Sequence, residues 1–122
     1  MRILGFSERW WKLYHDEFTT FRFQRKDKDW QVEEIVQIVY KPRSPERAML
    51  GVAEIVAKEP RWIARQIGYR HFEGVAAVSS QEAKEDGFNS PYAMYLWMLA
   101  RYQDRLYQEP MNKLTLRWFI GA

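Results

Sequence analysis

Thr20 and Arg22, two apart in the run Asp16-Glu17-Phe18-Thr19-Thr20-Phe21-Arg22-Phe23, put a hydroxyl and a guanidinium within reach of one ligand. Successive side chains of an extended segment point to opposite faces, so Thr20 and Arg22 share one face while Phe21 and Phe23 take the other. Rings buried behind the strand would anchor it. The front would then offer a hydroxyl and a planar, permanently charged fork to a phosphate or a carbonyl. More cations follow: Arg25, Lys26 and Lys28 in one loop, and Lys41 and Arg43 in a second loop flanked by Pro42 and Pro45. Guanidinium contacts to phosphate, combined with ring stacking, hold single-stranded or flipped nucleotides, which makes RNA or a nucleotide-like ligand the leading partner. The plainer alternative is that the loop cations are solvated and that Arg22 pairs with Glu17 or Asp86 as a brace.

These residues need elements to position them, and the patterning predicts short ones of both kinds. Ser7 can cap a helix from about 8 to 16, with Trp10 and Tyr14 four apart on its inward face. Strands are predicted at 19–24, 32–40 and 48–57, the last nearly all apolar and therefore central and buried on both faces. Pro60 suits the first turn of a helix that would carry Trp62, Ile63, Ile67 and Tyr69. A brief strand is predicted at 75–78, followed by a helical turn capped by Ser79 or Ser80 and a left-handed Gly87. The clearest helix runs from Pro91 to about 107, with Ser90 as its cap and Pro110 beyond its end. A final strand puts Leu114, Leu116, Trp118 and Ile120 on one face and Lys113, Thr115, Arg117 and Phe119 on the other.

Composition narrows the classes. The 122 residues are 47% hydrophobic and 29% charged, the size and apolar content of one globular domain with a core. Six Trp, seven Tyr and seven Phe exceed what a core of this size needs, leaving rings to stack on a flat ligand or to dock a protein partner or a second copy of the chain. A net charge of +3 permits nucleic acid as a partner without requiring it. With no cysteine, disulfides and thiolate metal sites are excluded, and His15 and His71 lack the short spacings of a metal site, so no metal and no cofactor is expected. No apolar run approaches the ~20 residues that cross a bilayer, and none at the N-terminus resembles a signal peptide, so the expected location is cytoplasmic, without membrane contact. Gly-rich phosphate loops, the G-x-S-x-G elbow and the His-Glu-x-x-His pattern are all absent.

The 16–22 stretch resembles the threonine and arginine run of ASCH proteins, small β-barrels related to the PUA-like RNA-binding domains, with Thr20 and Arg22 at the matching positions. His15-Asp16-Glu17 replaces the family's Gly-x-Lys opening, so that Glu17 stands at the lysine position. Leu50-Gly51-Val52-Ala53-Glu54-Ile55-Val56 resembles the family's central strand. Glu85-Asp86-Gly87-Phe88-Asn89-Ser90, a long helix and the strand 113–119 resemble its acidic-Gly-Phe turn, helix and closing strand. The resemblance implies an α+β fold: one domain over residues 1–122, forming a small, partly open PUA-like β-barrel of about five to six strands with two to three peripheral helices. It also implies a cleft gathering Thr20, Arg22 and Asp86, edged by Arg25, Lys26, Lys28, Lys41 and Arg43, that binds RNA. Some ASCH proteins are amidohydrolases that remove an acetyl group from a modified cytidine nucleoside. Carried over by position, that activity would use Thr20 as nucleophile, Asp86 as carboxylate and Glu17 in place of the lysine base.

Overall fold

The computed structural model describes residues 1–64 and 74–121. Among them the elements are β1 (Arg2–Phe6), a 3-10 turn (Trp11–Tyr14), β2 (Glu17–Phe23), β3 (Ile35–Tyr40), β4 (Ala48–Arg61), α1 (Ser80–Glu85), α2 (Pro91–Tyr102), α3 (Arg105–Gln108) and β5 (Met111–Gly121). The strands form one sheet in the order β1-β3-β4-β5-β2. β1 runs parallel to β3, and every other pairing is antiparallel. The sheet curls until its two end strands meet: the Phe6 and Phe18 rings are 6.1 Å apart, and Arg22 of β2 donates to the Gly5 carbonyl of β1 over 2.8 Å. The result is an α+β half-barrel.

Two apolar clusters explain the curl. Alternation along the strands sends Leu4, Phe6, Phe18, Val36, Ile38, Ala53, Ile55, Leu114 and Leu116 to the concave side, where Leu13 and Trp30 join them. The convex side of β2 sends Phe21 and Phe23 into a second cluster with Ala83 of α1, Met94 and Met98 of α2 and Leu106 of α3. Each face of β2 is thus buried, and the expected division of Thr20 and Arg22 from Phe21 and Phe23 is observed. Gly5 is required on β1 because an added Cβ would stand 2.7 Å from Pro42 Cγ.

Several boundaries differ from the sequence expectation for physical reasons. β1 was not expected at all. The helix expected at 8–16 contracts to the 3-10 turn, and the Ser7 hydroxyl accepts from Arg101 over 2.9 Å instead of capping. β3 starts at Ile35 because Glu33 adopts φ 75°. β4 has one fully buried face rather than two, although it is the middle strand, and it continues through Pro60, which pairs with Asn112 of β5. Beyond Glu54 β3 no longer runs alongside, leaving a free flank on which the missing N–H of proline costs little. The strand expected at 75–78 is reduced to a bridge between Ala77 and Trp62. Of the helix expected after Pro60, Trp62, Ile63 and Ala64 are buried outside any helix, and Ile67 and Tyr69 lie outside the described residues. The long helix ends at Tyr102, where Gln103 takes φ 51°, and α3 forms a separate turn. The other two expected caps are present, as a capping box at Ser79 and as Ser90 bonded to Ala93 N.

Glu82 ties α1 to the sheet. Its carboxylate accepts from Arg61 of β4 and from Lys113 of β5 at 2.9 Å, and also from Ser79 N. These donors outweigh burial and hold the carboxyl at about 2, against 4.5 for the ordinary group. A depressed folded-state pKa stabilises the protein above about pH 4.5, and that contribution is lost as the pH falls from there towards 2. Acid unfolding should therefore steepen below pH 4.5. Glu82→Gln should remove about 2 kcal/mol at neutral pH and flatten that dependence, as read from urea midpoints across the range.

Candidate functional site

Thr20 and Arg22 lie at the open end of the concave face because β2 is an end strand of the sheet. Arg22 Nε donates to the Thr20 hydroxyl over 3.0 Å, its second nitrogen reaches Gly5 O, and the guanidinium lies 4.8 Å from the Phe6 ring centroid. No carboxylate among the described residues forms an ion pair with it. A guanidinium carries five N–H donors and two are used here, so three are left for a ligand. Burial lowers its pKa, and Tyr102 and Asp86 partly oppose that shift.

The same wall holds a buried ion pair. Lys12 of the 3-10 turn donates to Asp86 over 2.8 Å, with side chains only 5% and 4% exposed. Thr19, facing away from Thr20, donates to the same carboxylate oxygen over 3.1 Å. Desolvation drives both partners towards neutrality, Lys12 downward and Asp86 upward, against the attraction that holds them charged. Asp86 reaches this place as the C-cap of α1, followed by Gly87 at φ 108°, whose missing Cβ would stand 3.2 Å from Trp10. Trp10, Phe88 and Trp97 then pack as three rings with centroids 5.4 to 5.8 Å apart. This cluster fixes the chain before the 3-10 turn against α2.

Thr20, Arg22, Lys12 and Asp86 line a cleft of about 550 Å³ together with the three rings. Among the described residues, six basic side chains border it (Lys12, Arg22, Arg25, Lys41, Arg43 and Arg101) with Asp86 as the sole carboxylate. Aromatic rings of Phe6, Trp10, Trp30, Phe88, Trp97 and Tyr102 line it as well. No family model matches the chain, and neither a curated protein nor a solved structure does. What the site can do therefore rests on its own chemistry.

The structure brings Thr20, Arg22, Asp86, Arg25, Lys41 and Arg43 to this one cleft. It separates Glu17, Lys26 and Lys28 from it. Glu17 shares the Thr19 face of β2, is exposed, and accepts from Arg117 over 2.7 Å, so Thr20, Glu17 and Asp86 do not assemble as a unit. Lys26 and Lys28 are exposed on the loop after β2. Neither Arg25 nor Lys41 is wholly available: Arg25 pairs with Asp27 at 3.0 Å and Lys41 with Glu46 at 3.3 Å. Arg43 is exposed with no partner among the described residues. Sequence reasoning missed Lys12 and Arg101. A lysine between Trp11 and Leu13 was a signal for the first, and an arginine one turn after Trp97, now 4.0 Å from that ring, for the second.

Among the described residues no group of three or more His, Cys, Asp or Glu is arranged to hold a metal ion, and no helix is long and apolar enough to cross a membrane.

Proposed function

We propose that the cleft binds a nucleotide-like anion presented by single-stranded RNA. The observation that carries this reading is Arg22, a desolvated guanidinium on the cleft wall with donors to spare and no ion-pair partner among the described residues, set among stacking rings. A charged donor in such surroundings forms strong, charge-assisted hydrogen bonds to phosphate or to a base carbonyl. Arg43 and Arg101 at the rim extend the positive surface along which a phosphate backbone would run.

Fluorescence anisotropy with single-stranded RNA oligonucleotides over a salt series tests this. Binding is expected to weaken linearly on a log–log plot, and Arg43→Ala should lower the slope by about 0.7, the value for one phosphate contact on a single strand. Absence of binding, or binding indifferent to salt, would sink the reading.

A second reading, hydrolysis of an acetylated cytidine nucleoside in the manner of some ASCH proteins, draws support from the Lys12–Asp86 pair. The amine that Glu17 does not provide stands instead on the cleft wall shared with Thr20. Chromatography of acetylated cytidine incubated with the protein decides it. Deacetylation that Thr20→Val abolishes would establish the enzyme, and no turnover in the unsubstituted protein would remove it.

A further inference from the structure

Lys12 combines three properties. Of the seven lysines it is the one that is buried, yet it lines an open cleft. Its ammonium lies 5.6 and 5.7 Å from the Phe6 and Trp10 ring centroids, contacts that attract a cation, but the burial of the side chain outweighs them and lowers its pKa. Its ion-pair partner is Asp86, a carboxyl that burial itself drives towards the protonated form. Nearby Arg22 opposes a second positive charge. A proton passing from Lys12 to Asp86 would leave a neutral primary amine hydrogen-bonded to a neutral carboxyl, the arrangement that makes a lysine nucleophilic towards carbonyl carbon.

We propose that Lys12 forms an imine with an aldehyde or ketone that bears a phosphate or carboxylate, the anion being held by the cleft's arginines. This activity goes beyond RNA binding and shares with that reading only an anion in the cleft. In the first step the Nζ lone pair attacks the carbonyl carbon, and a proton moves from nitrogen to oxygen to give a carbinolamine. Asp86 then gives its carboxyl proton to the carbinolamine hydroxyl, which leaves as water while the nitrogen lone pair closes the C=N bond. The products are a protonated imine, a carboxylate and one water molecule, so no oxidant or reductant is consumed. The buried carboxylate again faces a cation, so the pair that the fold tolerates before the reaction is restored after it. Thr19, donating to the same Asp86 oxygen, positions the carboxyl.

Glycolaldehyde phosphate and unphosphorylated glycolaldehyde, each incubated near pH 7 with the full chain and sodium cyanoborohydride, provide the test. The reducing agent fixes the imine as a secondary amine, and tandem mass spectrometry locates it. With the phosphorylated probe, Lys12 is expected to react about tenfold faster than the exposed Lys26, Lys28 and Lys84, and about tenfold faster than with the neutral probe, the discrimination of one good anion contact. Excess inorganic phosphate should slow it, and Lys12→Arg should erase the label at that position alone. Label spread over the exposed lysines with Lys12 unmodified would overturn the proposal, and equal rates with both probes would overturn the anionic substrate class. Since the decisive reading is made on the unsubstituted chain without RNA, failure here and failure of the RNA reading are separate results.

Discussion

Replacing Asp86 with alanine is expected to cost about 3–5 kcal/mol of folding stability, whereas replacing Lys12 and Asp86 together with methionine and leucine should restore most of it. The single change leaves a lysine buried against Phe6 and Trp10 with its ionic partner gone, and strands the Thr19 hydroxyl as well. The double change removes both charges from a wall already lined with rings. Urea unfolding of the two variants and the unsubstituted chain measures the effect. A double variant no more stable than Asp86→Ala would show that the pair organises the cleft wall in a way apolar packing cannot replace. The same double variant should lose imine formation while staying folded, which separates the pair's chemical role from its structural one.

Arg22→Ala is expected to act on two observables at once. Its bond to the Gly5 carbonyl joins the end strands of the sheet, and losing a charged hydrogen bond of that kind costs about 1.5–3 kcal/mol. Its remaining donors are the proposed ligand contact, so RNA affinity should fall about tenfold or more. Lysine cannot substitute, because a point charge on a flexible stem does not reach Thr20 and Gly5 together. Anisotropy on the folded fraction, with stability followed by urea in parallel, separates the two effects. Lower stability with unchanged affinity would make Arg22 a brace alone.

The parts of this molecule that were legible in the sequence are those governed by local rules. Alternation divided Thr20 and Arg22 from Phe21 and Phe23, and the two faces of β2 are buried accordingly. The caps at Ser79 and Ser90 and the left-handed Gly87 follow from side-chain oxygens and from a missing Cβ, properties that a residue carries wherever it sits. What could not be read depends on distant partners. β1 is five residues with a glycine at the fourth, and it becomes a strand only because β3, some thirty positions on, lies parallel to it. The 8–16 segment has helical spacing, yet Ser7 is taken by Arg101 and Lys12 by Asp86, both contributed from the far end of the chain. Glu17 was placed in the site by position in a family pattern. Its neighbour across the sheet, Arg117, and the face of β2 on which it stands put it elsewhere.

The seam between β1 and β2 sets how this half-barrel can deform. β3, β4 and β5 are tied by main-chain ladders, but the end strands meet through a side chain and packed rings. In mechanical terms the sheet is a clamp whose spine is stiff and whose jaws are set by one screw, the Arg22 guanidinium. A rotation about its side-chain bonds would release the Gly5 carbonyl without breaking any strand pairing, leaving the Phe6 and Phe18 rings as the remaining contact. A ligand of the proposed kind that drew the guanidinium away from Gly5 would loosen the seam beside which it sits.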